Sequence, residues 1–437
     1  MLIATKEPVA KLNEWTAIEI VAAIAAGRTT CEAVAHACLD RIREREPEVQ
    51  AWQYLDPEQV IAQARARDRG GRRGHLHGVP FGVKDIIDTS DMPTEYGSPI
   101  YKGHRTKRDA ACVALSRKAG GVLMGKTVTT EFVNRQPGKT RNPFDASRTP
   151  GGTSSGSAAA VADFMVPLAI GTQTTGSTVR PASFCGVIGY RPTFGDVSCA
   201  GIFESSRSLD TVGLFARSID DIALHRDVLL GAEPEPVPAE VPAPRIGFCR
   251  TPWWPQLEAT TQTLLEDAAG ELARAGARVE EVALPAGLEG IEEAQRWISS
   301  YEFARNLTWE IENHWEEISE ALRNRKLKDG LSCTLERYRE AREFAEHCRQ
   351  LFAPLLRDYD VLLAAAAAGE APVGWDPVSH NPVYQVWTAM HVPLITLPVF
   401  EGPNGLPIGA QLIAKRNDDR KLFAVASWIH RQLLRTN

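Results

Sequence analysis

The sequence predicts an α/β fold, because short apolar runs typical of buried strands alternate with helical stretches along the chain. Between residues 78 and 231, the strand-like runs 79–83 and 121–125 flank the helical stretch 110–119. Strand-like runs return near the C-terminus after a long helical region. The chain has 437 residues, of which 43% are hydrophobic, and this is enough for a large buried core.

The N-terminal region, residues 1–68, is predicted to be helical and to carry no chemistry. Apolar positions recur at helical spacing over 17–26, and Gly27 is suited to end that helix. Thr30 is a typical N-cap for a second amphipathic helix, which we expect to end just before Pro47.

The remaining chain divides by composition. A Pro-rich acidic stretch at 232–244 indicates a linker or surface loop, and a charged helical stretch covers 289–357. We expect the late strands to rejoin the first sheet, so that residues 1–437 form a single interwoven domain. Its predicted regions are the helical N-terminus 1–68, the core 78–231, a mainly helical excursion 245–357 and the C-terminal strands 358–437.

Charge and hydropathy exclude several classes of function. The net charge is −6 and the pI is near 6.0, so the chain has no overall basic surface for nucleic acid. The basic cluster 65–73 is interpreted as a solvated surface. The N-terminus has no apolar signal core, and no stretch reaches the ~18 apolar residues of a membrane span. We therefore expect a cytoplasmic protein that binds neither nucleic acid nor a membrane.

Cysteine and histidine spacing gives no sign of a metal site. The eight cysteines form no C-x-x-C, and the ten histidines form no H-x-x-x-H or H-E-x-x-H pair. A chain of this size does not need disulfides for stability, which favours reduced thiols. We expect no metal and no organic cofactor.

Two segments rich in Gly, Ser and Thr are the first candidates for chemistry. Residues 151–157 precede an Ala-rich helix, where glycines and a helix N-terminus allow close approach of a ligand. Residues 174–177 follow an apolar strand, and a tight turn there can direct backbone N–H groups beside the Ser177 hydroxyl, as an oxyanion hole requires. These residues alone leave a hydrolase and a pair of helix-capping turns equally open, although no Walker-type phosphate loop is present.

Lys84 favours the hydrolase, because it lies in an apolar, strand-like segment where a charged side chain is unusual. A buried ammonium without a partner tends to lose its proton, and a neutral lysine can act as a general base. The alternative is a structural lysine paired with Asp85 or Asp88 at the strand end.

Three ordered motifs together resemble the amidase signature family, and the resemblance covers nearly the whole chain. It is closest to compact, stand-alone bacterial members of the malonamidase type, which share Gln173. The resemblance implies a large mixed β-sheet flanked by helices. The motifs are GVPFGVKD at 78–85, PGGTSSGSAAAVA at 150–162 and GTQTTGSTVRPASFCGVIGYRPT at 171–193, with further matches at 209–213 and 405–414.

The resemblance implies a Ser–cis-Ser–Lys triad. Lys84 matches the family lysine, and Ser177 matches the nucleophile. The bridging serine of the family lies 24 residues before the nucleophile, where this chain has Thr153. A threonine hydroxyl can relay a proton, but its methyl group restricts χ1. Ser154 is the alternative bridge.

Further residues around the nucleophile receive roles from the same resemblance. Thr174, Thr175 and Gly176 are expected to form the oxyanion hole, although Thr175 replaces a glycine of the family motif. Arg180 is expected to hold a substrate carboxylate, which a planar guanidinium can bind at both oxygens. A structural arginine that satisfies buried carbonyls or pairs with an acid is equally open at this position. Ser154 is also expected to contact substrate.

The expected function is therefore hydrolysis of a small amide through an acyl-enzyme. The same machinery would also serve aryl amides, esters or carbamates. Two other classes stay open, namely the A-type subunit of a tRNA-dependent amidotransferase, which needs a companion protein, and a catalytically silent binding homologue. The expected ligand is a small-molecule amide, and assembly as a homodimer is left open.

Overall fold

The computed structural model describes residues 11–134, 136–374 and 384–435. Within these residues, eleven strands form one mixed sheet, ordered β1-β3-β2-β4-β6-β5-β10-β11-β9-β7-β8. The strands are β1 (Trp52–Leu55), β2 (Pro80–Lys84), β3 (Val122–Thr127), β4 (Leu168–Gln173), β5 (Ile188–Arg191), β6 (Thr211–Ala216), β7 (Arg245–Cys249), β8 (Arg278–Val282), β9 (Val361–Ala365), β10 (Leu394–Glu401) and β11 (Pro407–Ile413).

Helices flank this sheet, which confirms the predicted α/β class with a large mixed sheet. They are α1 (Ala17–Ala25), α2 (Cys31–Val49), α3 (Pro57–Arg69), α4 (Ala111–Lys118), α5 (Ser155–Ala162), α6 (Val179–Phe184), α7 (Ile219–Leu230), α8 (Ala259–Arg274), α9 (Ile291–Asn306), α10 (Thr308–Asn313), α11 (Glu320–Leu322), α12 (Lys328–Ser332), α13 (Leu335–Phe352), α14 (Leu355–Asp358), α15 (Gln385–Ala389) and α16 (Asp419–Leu433). No helix among the described residues combines the length and the apolar character that a membrane span requires.

Helix α2 differs from the sequence prediction at its end. Thr30 caps it as expected, because the Thr30 hydroxyl accepts a hydrogen bond from the Ala33 N–H at 3.1 Å. The helix nevertheless continues past Pro47 into one further half-turn, so the predicted stop before the proline is wrong. Pro47 lies in the last turn, where it removes a single backbone hydrogen bond. The Glu46 carboxylate compensates by accepting the backbone N–H groups of Ala51 and Trp52 at 2.8 and 2.9 Å.

The arrangement of the central strands brings the chemical motifs together. β2 runs parallel to both β3 and β4, so the carboxyl ends of these strands lie at one edge of the sheet. Lys84 is the last residue of β2, and the turn containing Ser177 directly follows β4. In open α/β sheets, ligands bind at the carboxyl ends of parallel strands. Strands β9, β10 and β11 belong to the same sheet as the central strands.

Candidate active site

Lys84 is fully buried and is surrounded by hydroxyl groups. Its Nζ lies within hydrogen-bonding distance of three hydroxyl oxygens, namely Thr153 Oγ1 at 2.5 Å, Thr172 Oγ1 at 2.9 Å and Ser154 Oγ at 3.2 Å. Within the described part of the chain, no carboxylate forms an ion pair with Lys84. Asp85 pairs with Lys126 instead. The alternative of a lysine paired with Asp85 or Asp88 therefore does not describe this structure.

The environment of Lys84 favours the neutral amine. Burial lowers the pKa of Lys84 well below its ordinary value, and the charge of Asp210 opposes this only in part. Hydroxyl groups can accept hydrogen bonds from either form of the amine, but they supply no negative charge to stabilise the ammonium. A lysine in this state can take up a proton from a neighbouring hydroxyl.

Two adjacent hydroxyls contact Lys84, and their surroundings distinguish them. Ser154 is buried, and its Oγ donates to the Thr172 carbonyl at 3.1 Å and accepts from the Thr172 N–H at 3.2 Å. These bonds fix Ser154 to strand β4 behind the lysine, which does not fit the expectation that it contacts substrate. Thr153 is partly exposed and has the shortest contact with Lys84. The geometry therefore favours Thr153 over Ser154 as the bridge.

The segment before Thr153 makes its turn through two glycines. Gly151 and Gly152 have φ values of 76° and 60°, in the left-handed region that favours glycine. All peptide bonds in the described residues are trans, so the cis peptide implied by the family resemblance is absent from this segment. A Cβ on Gly152 would lie 3.2 Å from Ser177 Cα, which shows how closely the two Gly-rich segments approach each other.

The turn containing Ser177 is held from within by Gln173. The Gln173 Oε1 accepts the N–H groups of Thr178 and Val179 at 2.9 and 3.1 Å, so it caps helix α6. The Gln173 Nε2 donates to Thr388 Oγ1 at 3.0 Å, and Thr388 Oγ1 donates to the Thr175 carbonyl at 2.6 Å. These buried contacts fix the backbone on both sides of the nucleophile.

The backbone N–H groups expected to form the oxyanion hole have no acceptor within the described part of the protein. The N–H groups of Thr174, Thr175, Gly176 and Ser177 donate no hydrogen bond to any described residue, and the Ser177 hydroxyl makes none either. Buried or half-buried N–H groups normally have partners. A turn that leaves several of them free beside a serine hydroxyl can receive the oxygen of an acyl group.

Asp210 supports the same turn from the segment that precedes strand β6. Its carboxylate accepts the Thr174 hydroxyl at 2.5 Å and the N–H groups of Ser205 and Ser206 at 2.7 and 2.8 Å. Burial raises the pKa of Asp210 to about 6, although these hydrogen bonds oppose the rise. Asp210 therefore ties the start of the turn to the loop before β6.

Arg180 and Tyr384 lie over the nucleophile turn. The Arg180 Nη1 donates to the Tyr384 hydroxyl at 3.0 Å, and the guanidinium carbon lies 5.5 Å from the centre of the tyrosine ring. A Cβ on Gly176 would lie 2.1 Å from the same ring, so only glycine allows Tyr384 to pack here. The structure thus places Arg180 against the ring of Tyr384, close to the nucleophile turn.

A small cavity adjoins Thr172, one of the three hydroxyls around the lysine. It has a volume of about 60 Å³, and its lining includes the polar residues Thr172, Thr174 and Asp210 and the apolar residues Val133 and Phe203. Val133 has a φ of 54°, which is strained for a β-branched residue. Strain of this kind is concentrated at functional sites.

Sequence reasoning missed several residues that shape this site. Asp210 lies within the matched motif at 209–213 but received no role there. Thr388, Tyr384 and Val133 carry no local signal at all, because they reach the nucleophile turn through contacts between distant parts of the chain.

Comparison with known proteins identifies the family of this chain. The chain matches the family model described as Amidase over residues 33–423. The A subunit of the glutamyl-tRNA(Gln) amidotransferase of Chloroflexus aggregans is 33% identical over an alignment of 460 positions, which covers 92% of this chain and 93% of that protein.

Solved structures of the same fold include amidases. A crystal structure of an amidase has a TM-score of 0.87 at 30% identity, covering 96% of this chain and 100% of that one. The peptide amidase from Stenotrophomonas maltophilia has a TM-score of 0.83 at 30% identity, covering 96% and 97% of the two chains. The similar proteins therefore include amidases and also the A subunit of an amidotransferase.

Proposed function

Because the chain belongs to the amidase family, we propose that it hydrolyses the C–N bond of a small amide, with Ser177 as nucleophile, Thr153 as proton relay and Lys84 as base. The observation that carries this proposal is the 2.5 Å contact between Lys84 Nζ and Thr153 Oγ1 at a fully buried lysine. Two further observations support the proposal. Gly152 lies close to Ser177, and the N–H groups of the turn have no acceptor among the described residues.

The first half of the reaction forms an acyl-enzyme. Neutral Lys84 accepts the proton of Thr153, and Thr153 accepts the proton of Ser177 as the Ser177 Oγ attacks the amide carbonyl carbon. Ser177 and Thr153 are not hydrogen-bonded without substrate, and such contacts often tighten only in the reacting complex. The N–H groups of the turn stabilise the tetrahedral oxyanion, each good donor contributing roughly 3–4 kcal/mol.

The second half releases the products. The relay returns the proton to the leaving nitrogen, the C–N bond breaks, and the amine or ammonia departs. Water then gives its proton to the same relay and attacks the ester carbonyl, which frees the carboxylic acid and restores Ser177. No step requires a metal or an organic cofactor.

The choice of substrate is proposed from the residues beside the nucleophile. Arg180 is the proposed partner of a substrate carboxylate, with Tyr384 as the surface that orients its guanidinium. Aryl amides, esters and carbamates remain substrates of the same acyl-transfer chemistry.

A substrate panel tests this function. Purified protein is given malonamate-like acids, neutral aliphatic amides, anilides, esters and carbamates, and the released ammonia, amine or alcohol is measured directly. We expect turnover of at least one small amide and its loss in Ser177→Ala. Arg180→Gln should raise KM for acidic amides while leaving KM for neutral ones unchanged. Absence of turnover on the whole panel, together with no covalent labelling of Ser177, would favour the silent homologue instead.

A second candidate is the A-type subunit of an amidotransferase, because the chain is 33% identical to such a protein over nearly its whole length. The same Ser177 chemistry would then release ammonia from an amide donor and pass it to a partner protein. Affinity purification from the native cells separates the two candidates. A companion recovered at a one-to-one ratio, with ammonia release that depends on it, supports the amidotransferase, whereas full activity of the isolated chain supports the amidase.

A further inference from the structure

A second and much larger cavity lies apart from the nucleophile. It has a volume of about 580 Å³ and lies between helices α9 and α13 and the segments that carry Phe194, Arg207 and His391. Neither Lys84 nor Ser177 lines it, so the proposed reaction leaves this cavity without a role. Its size falls in the range of ordinary small-molecule sites.

Three arginines from two parts of the chain line this cavity. Arg207 comes from the loop before β6, while Arg342 and Arg349 lie two helical turns apart on α13. Among the described residues, neither Arg207 nor Arg342 forms an ion pair with a carboxylate. Arg349 is fixed by its Nη1, which donates to the Ala389 carbonyl at 2.9 Å, and by its Nε, which binds Glu346 at 2.9 Å.

Among the described residues that line the cavity, the one carboxylate is already engaged. Glu302 accepts hydrogen bonds from the hydroxyls of Ser206, Ser208 and Tyr338 at 2.5, 2.5 and 2.7 Å, and from the Ser208 N–H at 3.1 Å. These four donors satisfy its oxygens, so Glu302 is not free to bind the arginines. Positive charge therefore exceeds negative charge in the lining of the cavity.

Two stacked aromatic rings also line the cavity. The rings of Phe194 and His391 stack with a 4.0 Å separation of their centres and an angle of 15°. The His391 Nε2 donates to the Ser208 carbonyl at 2.9 Å, which fixes the orientation of its ring. Stacked rings of this kind offer a surface to a planar ligand.

We propose that this cavity binds a small organic anion, with a flat ring against Phe194 and His391 and a carboxylate or phosphate group held by Arg207, Arg342 and Arg349. Guanidinium groups bind both kinds of anion through paired, charge-assisted hydrogen bonds. Neither Ser177 nor Lys84 lines this cavity, but Arg207 lines both it and the small cavity beside Thr172, and the segment from Ser208 to Asp210 connects the cavity to the nucleophile turn. This proposal goes beyond the proposed hydrolysis and does not depend on it.

Calorimetric titration of the purified full chain tests this site without any turnover. The probes are phenyl phosphate and benzoate as ringed anions, and benzyl alcohol as the neutral control. We expect at least one of the two anions to bind saturably at a one-to-one ratio. The anion that binds more tightly identifies the preferred head group. Benzyl alcohol should bind much more weakly than that anion. Binding should weaken with added salt, because its main attraction is between charges.

Substitutions locate the bound anion. Arg207→Gln and Arg342→Gln should each weaken binding at least about tenfold, since each removes a charge-assisted contact. Arg339→Gln, which removes an exposed arginine of the same helix outside the cavity, should change Kd less than about twofold. Arg180→Gln should leave intact the binding that depends on Arg207 and Arg342.

Three results would overturn the proposal. Equal binding of benzyl alcohol would show that the arginines do not select an anion. Loss of binding in Arg180→Gln but not in Arg342→Gln would place the probe in the catalytic cleft. Failure of both anions to bind saturably would show that the cavity has no such specificity.

Discussion

Two buried lysines on neighbouring strands of the same sheet differ in their partners. Lys84 ends β2 and contacts three hydroxyls, whereas Lys126 on β3 lies 3.1 Å from a carboxylate oxygen of Asp85 and 2.6 Å from the Thr94 hydroxyl. Both side chains are fully buried. The two lysines are equally buried, yet Lys84 is a candidate base and Lys126 belongs to an ion pair.

The difference shows that the partner, more than the burial, determines what a buried lysine can do. Burial lowers the pKa of both lysines, but the adjacent Asp85 charge opposes the decrease at Lys126. At Lys84, the opposing charge comes from Asp210, which forms no ion pair with it, so the pKa falls well below its ordinary value. The following substitutions test this comparison, beginning with the largest expected effect.

Removing the base or the nucleophile should nearly abolish catalysis. We expect Lys84→Met and Ser177→Ala each to lower kcat at least about 10⁴-fold, as losses of triad members do in other hydrolases. Product release under saturating substrate is the measurement. Ser155→Ala is the matched control, because the buried Ser155 hydroxyl makes no hydrogen bond among the described residues and should be dispensable. Full activity of Lys84→Met would refute the role of the lysine.

The relay can be tested by changing Thr153 alone. Thr153→Val keeps the shape of the side chain but removes the hydroxyl, and we expect kcat to fall about 10²–10⁴-fold. Thr153→Ser restores the hydroxyl and should keep kcat within a few-fold of the original. If Thr153→Val remained active and Ser154→Ala did not, the bridge would be Ser154.

Lys126 should affect stability where Lys84 affects rate. Lys126→Met leaves Asp85 buried without its partner. We expect the free energy of unfolding, measured in urea, to decrease by about 3–5 kcal/mol. The double variant Lys126→Met/Asp85→Asn should recover part of that loss, since it buries no unpaired charge. A drop in kcat as large as that of Lys84→Met in still-folded protein would remove the distinction between the two lysines.

The contact between Thr388 and the nucleophile turn should have a smaller effect on rate. Thr388→Val removes the hydrogen bond from Gln173 and the one to the Thr175 carbonyl. The backbone N–H groups of the turn are then held less firmly in position. We expect kcat to fall roughly tenfold with little change in KM. A change in KM alone would instead assign Thr388 to substrate binding.

The lowered pKa of Lys84 should also be visible in stability. In the unfolded chain its pKa is ~10.4, so between the folded and unfolded pKa values the unfolded state binds more protons. The free energy of unfolding should therefore rise with pH across this window, by at most about 1.4 kcal/mol per pH unit. Buried cysteines such as Cys38 and Cys112, whose pKa burial raises, contribute the opposite slope over the same range, so the test is a difference between two variants. In urea unfolding between pH 8 and 10, the slope of the unfolding free energy against pH should be more positive in the wild type than in Lys84→Met.

The sequence predicted the sheet and identified the candidate chemical residues because each carries a local signal. Alternating apolar runs predicted the strands, and an unusual charge in such a run identified Lys84. The turn after an apolar strand made Ser177 a candidate, the family resemblance added Thr153, and the structure brings these segments together. The position of Pro47 inside α2 was not predictable from local rules, because contacts of Glu46 beyond the helix offset the missing hydrogen bond.

The choice between Thr153 and Ser154 needed coordinates. The residues are adjacent and both carry hydroxyls, so only the direction of the turn decides which one stays partly exposed and which one bonds to β4. The supporting contacts of Thr388 and Tyr384 join segments more than 200 residues apart. Such contacts follow from packing, and no spacing rule reveals them.

Covalent labelling of Ser177 by phenylmethylsulfonyl fluoride tests the central claim most directly, because it requires an activated serine and no knowledge of the substrate. Mass spectrometry locates the label, and its rate is followed against pH. We expect labelling at Ser177, a rate that falls as Lys84 becomes protonated at low pH, and strong loss of labelling in Lys84→Met and Thr153→Val. Labelling at another residue, or an equal rate in Lys84→Met, would contradict the account.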